Sequence, residues 1–221
     1  LIDWYKKIPE KFLLKSHNPH YDIHHIKLPF RMIICGSSGS GKTQTLLSLI
    51  YNMPNTFEHI YICTKNKDEP LYNYIEEKLG KKGLEIMEYD KDGLPDLDKL
   101  NKEQQTLLVM DDLVNERDQS GMCEWFLRAR KKNCSLVYIS QSYYAVPKFI
   151  RNNMTYLIIK QISSMKNLTM IAREFDLGLS KDILTNMYND ATKDKQNFLM
   201  IDLEASPNNR FRKGFNEFYH L

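Results

Sequence analysis

Apolar runs and amphipathic stretches alternate along most of the chain. The runs "FRMIIC" (30–35), "HIYICT" (59–64), "QTLLVMDDL" (105–113), "CSLVYISQSY" (134–143) and "TYLIIKQI" (155–162) read as strands, with "LEIMEY" (84–89) as a further short one. Between them, "KTQTLLSLIYNM", "PLYNYIEEKLG" and "GMCEWFLRARKK" read as helices, the second ending at Gly80. Strands that alternate with helices predict an α/β domain with a mostly parallel sheet covered on both faces. From about residue 163 the pattern changes. Two helical segments, "MKNLTMIAREF" and "SKDILTNMYNDAT", precede "QNFLMIDLEASPNNRFRKGF", where Pro207, Asn208 and Asn209 separate two strand-like runs. That predicts a C-terminal β-hairpin on the edge of the sheet. Residues 1–28 show no clean period and read as a lead-in segment packed on the edge of a domain spanning 29–221.

With 221 residues, the chain suits one α/β domain with a sizeable core. Charged residues make up 27% and hydrophobic ones 42%, the balance of a soluble globular protein. A net charge of +3 is too mild to argue for nucleic acid without local clusters. Cys35, Cys63, Cys123 and Cys134 lack metal-ligand spacing, and three of them fall within the strand runs. They read as reduced core thiols in a cytosolic-type compartment. His17, His20, His24 and His25 are irregularly spaced and have no nearby cysteines, which argues against a zinc site. No apolar run approaches the length of a membrane span and no signal-peptide pattern opens the chain, so no membrane partner is expected.

The chemistry begins where the first strand gives way to "GSSGSGKT". Gly36, Gly41, Lys42 and Thr43 fit G-x-x-x-x-G-K-[ST], with a strand before and a helix after. In such a loop, backbone N–H groups of Gly36, Ser37, Ser38, Gly39, Ser40 and Gly41 turn inward around phosphate oxygens at a helix N-terminus. Lys42 would reach the β- and γ-phosphates, the Thr43 hydroxyl would ligate Mg²⁺, and Thr45 completes the expected binding set. Asp111 and Asp112 close an apolar strand some seventy residues later, where P-loop NTPases place the Walker B acid. Asp111 is the better Mg²⁺ ligand candidate, and Asp112 would orient or deprotonate the attacking water. Gln141 ends the next strand and would report γ-phosphate occupancy through its amide. The run "RARKK" reads either as a solvated helix end or as the source of an arginine reaching a neighbouring subunit's γ-phosphate. Arg130 is the first choice for that role and Arg128 the second.

The ordered set "GSSGSGKT … LLVMDDL … RARKKNCSLVYISQSYYAVPKFIRNN", with the ending "FLMIDLEASPNNRFRKGF", resembles the poxvirus-type genome-packaging ATPases of large DNA viruses and virophages, within the FtsK–HerA superfamily. The resemblance covers about Phe30 to Phe215. It implies a RecA/FtsK-like core with the glutamine strand between the Walker A and Walker B strands. It implies ATP with Mg²⁺, and a homo-oligomeric ring (pentamer or hexamer) that pumps double-stranded DNA into a preformed capsid through a capsid or portal-vertex protein. It places the chain in the host-cell cytoplasm at the viral factory, or on the virion. Lys42 and Thr43 carry over as Walker A, Asp111 and Asp112 as Walker B, Gln141 as the polar sensor and Arg130 as the trans-acting arginine. Where that group often shows Gly-Arg-His, this chain has Ala129-Arg130-Lys131.

A translocase should contact mainly DNA phosphates, since it must move any sequence. Lys65, Lys67, Lys148, Arg151, Arg210, Arg212 and Lys213 are the cations expected there. Two other functions start from the same loop. A small-molecule (nucleoside or nucleotide) kinase would need a basic lid, a place that "RARKK" could fill. A nucleotide-gated assembly scaffold would need a partner surface, which the 13 tyrosines and 10 phenylalanines could supply.

Overall fold

The apolar runs form β1 (Arg31–Cys35), β2 (His59–Thr64), β3 (Leu84–Glu88), β4 (Thr106–Asp111), β5 (Cys134–Ser140) and β6 (Tyr156–Ile159). The computed structural model describes residues 2–80, 83–175 and 177–220; residues 1 and 221, at the outer limits of the two expected segments, lie outside them. Three antiparallel strands follow, β7 (Leu199–Asp202), β8 (Phe211–Lys213) and β9 (Glu217–Phe218). The sheet order is β3-β2-β4-β5-β1-β6-β7-β8-β9, parallel from β3 to β6. The expected hairpin is β7–β8. Its link contains one helical turn, and the two-residue β9 beyond it is too short to leave a sequence pattern.

The helices are α1 (Tyr21–His24), α2 (Lys42–Tyr51), α3 (Pro70–Leu79), α4 (Tyr89–Asp92), α5 (Ser120–Arg128), α6 (Lys148–Asn153), α7 (Met165–Glu174), α8 (Lys181–Ala191) and α9 (Pro207–Arg210). Successive strand side chains face opposite layers. Met32, Ile34, Leu107, Val109, Val137 and Ile139 pack with Leu46 and Leu49 of α2 and Tyr72 and Ile75 of α3. Ile33, Cys35, Leu108, Met110, Leu136 and Tyr138 pack with Trp125 and Phe126 of α5, Ile150 of α6, Leu168 of α7 and Leu184 of α8. Both faces of β1, β4 and β5 are therefore covered, which is why they read as continuous apolar runs.

Several elements differ from the sequence reading, the short helices α1 and α4 among them. The stretch expected as one helix over 121–132 stops at Arg128, and Ala129–Lys132 tighten into a 3₁₀ turn that ends at Asn133 with φ of 55°. Residues 148–153, assigned no element above, form α6, whose six residues are too few for a helical period to stand out. Residues of the first stretch bond to the sheet and its flanks. Gln105 donates to the His17 carbonyl at 2.9 Å, Asn133 to the Lys15 carbonyl at 3.1 Å, and Arg212 to the His25 carbonyl at 3.0 Å. Four of the cations expected at DNA are tied down inside the domain. Arg151 is buried against Glu174 at 2.9 Å, and Arg212 against Asp202 at 2.9 Å. Lys65 pairs with Glu116, and Lys213 with Asp190 at 3.3 Å. Arg210 donates to the Ala205 carbonyl at 3.3 Å. Lys67 and Lys148 are in no salt bridge among the described residues.

Candidate active site

The C-terminal ends of β1, β4 and β5 share one sheet edge. Cys35 lies beside Ser140, and Asp111 beside Ile139. The residues that follow each strand therefore meet there. Gly36 donates its N–H to the Ser140 carbonyl at 3.2 Å, and Asp112 donates its own to Ile139 at 3.3 Å. Gln141 comes next on β5, between the phosphate loop on one side and the two acids on the other. Its side chain is exposed and has no hydrogen bond among the described residues. The glutamine strand thus lies between the Walker A and Walker B strands.

The loop is closely built. A Cβ on Gly36 would stand 2.5 Å from Lys160 Cβ and 2.6 Å from Ser40 Oγ, so no side chain fits. Gly41 takes φ of 86° as the N-cap of α2, a backbone that disfavours every other residue type, and no side chain caps that helix. Ser37 is anchored by its N–H and its hydroxyl, both donating to the Gln161 carbonyl at 2.8 Å. Ser38 and Gly39 are exposed at the tip. Ser40 is buried, and its hydroxyl has no partner. An unsatisfied buried hydroxyl at an uncapped helix start fits a site made for phosphate oxygens. Lys42 Nζ donates to the Ser37 carbonyl at 3.1 Å, holding the ammonium over the loop. Thr45 is a correction. It is buried one turn into α2 and its hydroxyl donates to the Gly41 carbonyl at 3.0 Å, because a helix brings the i−4 carbonyl within reach. It braces the loop's exit instead of lining the cradle.

Asp111 Oδ2 accepts a 2.6 Å hydrogen bond from the hydroxyl of Tyr72, a fully buried residue of α3. Burial raises the Asp111 pKa; the Tyr72 bond opposes that rise, Asp112 adds to it and Lys42 opposes it. Burial lowers the Lys42 pKa, and Asp111 acts first among the groups that raise it. The lysine and the carboxylate thus stabilise each other's charge across the loop. Asp112 is exposed and takes φ of 56°, a left-handed backbone found more often in Asp than in most residues. The Thr43 hydroxyl and the Asp111 carboxylate are hard-oxygen donors, the chemistry that Mg²⁺ prefers.

Sequence reasoning missed Tyr72, Lys160 and Gln161. Tyr72 shares the buried face of α3 with Ile75, and a buried tyrosine hydroxyl needs a partner; that was the available signal. Lys160 and Gln161 end "TYLIIKQ" as Gln141 ends "SLVYISQ", at the same sheet edge. Lys160 is buried, and its ammonium donates to the Lys195 and Asn197 carbonyls at 2.8 and 2.9 Å.

Arg130 lies elsewhere. It precedes β5, at the opposite end of the strand from Gln141, and lines a cavity of about 170 Å³ with Arg31, Thr155 and Glu204. Burial, and then the Arg130 guanidinium, lower the pKa of Arg31. Arg130 is exposed and has no ion pair among the described residues, whereas Arg128 is tied to Glu124 and Asp98. A larger apolar cleft of about 890 Å³ lies between α2 and α3, lined by Leu47, Tyr51, Phe57 and Tyr74. None of Gly36–Thr43, Asp111, Asp112 or Gln141 lines it.

Residues 20–212 match the family described as "Poxvirus A32 protein". The chain belongs to that family. Among relatives of this A32-family chain, the DNA packaging protein OPG160 of monkeypox virus is 29% identical over 192 residues, covering 82% of this chain and 64% of that protein. Its counterpart in vaccinia virus (strain Copenhagen) is also 29% identical, with 71% of that protein covered. The chain therefore spans about two thirds of the length of these relatives. Among solved structures, the genome packaging NTPase B204 from Sulfolobus turreted icosahedral virus 2, in complex with sulfate, superposes with a TM-score of 0.60 at 11% identity, covering 81% of this chain and 94% of that one. The pCW3 conjugation coupling protein TcpA, with ATPgS, gives 0.56 at 16% identity, covering 82% and 60%. At these identities the likeness is one of fold: the A32-family chain has the α/β architecture of P-loop packaging NTPases.

Proposed function

We propose that this chain is the ATP-hydrolysing motor of a viral genome-packaging machine, working as a homo-oligomeric ring of five or six copies on double-stranded DNA at a capsid or portal-vertex protein. One observation carries the reading. The phosphate loop, the Tyr72–Asp111 pair, Asp112 and Gln141 converge on one sheet edge, while Arg130 stands at the other. The loop amides and Lys42 bind the triphosphate. Thr43 and Asp111 would hold Mg²⁺, which would offset phosphate charge as it develops. Asp112 orients the attacking water, and Gln141 reports the γ-phosphate to the loop that follows it. Arg130 acts on the nucleotide of the next copy. Lys67 and Lys148 are the remaining candidates for DNA phosphate contact. The family's DNA packaging proteins and the packaging-NTPase fold support this reading, and it places the chain at the viral factory in the host-cell cytoplasm or on the virion.

The test is ATP hydrolysis measured against added duplex DNA, over a range of protein concentration and salt. A motor gives DNA-stimulated turnover that rises cooperatively with protein concentration and falls steeply with salt. Lys42→Ala abolishes it. Phosphate transfer to a nucleoside with no effect of DNA would replace this reading with a kinase. Packaging that survives Lys42→Ala would replace it with a scaffold.

A further inference from the structure

Tyr72 is fully buried, yet its hydroxyl reaches the phosphate edge. It donates to Asp111 Oδ2 at 2.6 Å. Asp111, at the end of β4, is one of the two side chains that the nucleotide reading assigns to Mg²⁺; the other, Thr43, belongs to α2. The phenol comes from a third element, α3, whose Ile75 packs in the same apolar layer. A ring fixed on every side leaves its hydroxyl little freedom, and a carboxylate bonded to it loses most of its own. A hydrogen bond of this length to a charged acceptor is of the strong class.

We infer that Tyr72 is a positioning residue for the metal: its hydroxyl, bonded to Asp111 Oδ2, holds that carboxylate in the arrangement that takes up Mg²⁺ with the nucleotide. The inference rests on the nucleotide reading and deepens it. Tyr72 also connects the metal to the segment between β2 and α3, where Lys65 and Lys67 lie.

The substitution that isolates the hydroxyl is Tyr72→Phe, which keeps the ring. Two affinities are measured by calorimetry with a non-hydrolysable ATP analogue. One is for the analogue without metal, and the other is for Mn²⁺ added to the analogue-bound protein. A positioning role weakens Mn²⁺ binding about tenfold and leaves the metal-free affinity unchanged. In the Asp111→Ala background, Tyr72→Phe has no further effect on Mn²⁺, because the hydroxyl acts through that carboxylate. A purely structural role lowers the melting temperature and weakens both affinities alike, which overturns the inference. The wild-type chain supplies a readout that needs no substitution: the Tyr72 ¹³Cζ resonance shifts when Mg²⁺ joins the analogue, and a resonance that stays still overturns the inference too. An unchanged Mn²⁺ affinity in Tyr72→Phe, with analogue bound, removes this inference alone. A wild-type chain that binds no analogue removes the nucleotide reading with it.

Discussion

Arg130 and Gln141 flank the same strand, and that separation makes the arginine's role testable. The seven residues of β5 span about 23 Å at roughly 3.3 Å each, far beyond the reach of one side chain. Arg130 therefore cannot touch the nucleotide of its own subunit, so any effect on turnover must cross an interface. Arg130→Ala removes a guanidinium that is exposed and repelled by Arg31, so the fold is kept. Nucleotide binding should be unchanged, while turnover of the assembled protein falls about 10³-fold, or about 4 kcal/mol in barrier. Arg128→Ala, which breaks only solvent-facing pairs with Glu124 and Asp98, serves as the control and leaves turnover near wild type. The decisive assay mixes Arg130→Ala with Asp112→Asn, each inactive alone. At equal amounts, about a quarter of the interfaces join an intact acid site to an intact arginine, and activity returns. No recovery at any ratio refutes the placement. So would a loss of turnover by Arg130→Ala that is equally large where the wild-type chain is monomeric.

Other consequences follow from single contacts. Gly36→Ala drives a methyl to 2.5 Å from Lys160 Cβ, so the loop must shift; a stability loss of about 1–3 kcal/mol in urea, with nucleotide binding abolished in calorimetry, is expected. Glu174→Gln leaves the buried Arg151 guanidinium without its counter-charge and should cost about 3 kcal/mol by chemical denaturation. Burial holds Lys160 down to about 8, while a lysine in the unfolded chain titrates near 10.5. Between those values the unfolded chain carries more protons, so wild-type stability climbs with pH by at most about 3 kcal/mol. Lys160→Met should lack that climb when urea midpoints are compared at about pH 7.5 and pH 10.5.

The strands that build the site were legible because they are buried on both faces. In "QTLLVMDDL" nothing interrupts the apolar run until Asp111, so the acids stood out where the chain leaves the core. The phosphate loop was legible for a related reason: only a cradle of backbone groups needs Gly36 and Gly41 at that spacing with Lys42 behind them. What the sequence hid were pairings between distant residues. Arg151 and Arg212 read as surface cations because their carboxylates, Glu174 and Asp202, lie 23 and 10 residues away and belong to other elements. Tyr72 looked like core, and it is; its hydroxyl became informative only once β4 brought Asp111 beside it.

The position of β5 explains how nucleotide state can reach the rest of the molecule. It follows both β1 and β4 in sequence yet lies between them, so Gln141 stands where phosphate loop and acids meet. The loop beyond Gln141 is fixed at several points. Asn167 of α7 accepts from the Tyr144 amide and the Ser142 hydroxyl, both at 3.2 Å, and Arg151 donates to the Tyr144 and Val146 carbonyls. Tyr143 donates to Glu174, the same carboxylate that holds Arg151. A displacement of the Gln141 backbone would therefore meet Ser142 and Tyr144, which are bonded to α7, with exposed Tyr144 and Lys148 close by at the head of α6. Because Arg130 enters the same strand from its other end, in the proposed ring β5 would link the edge beside one nucleotide to the edge facing the next copy's nucleotide. A rigid, fully buried strand is the element best able to carry that displacement without loss.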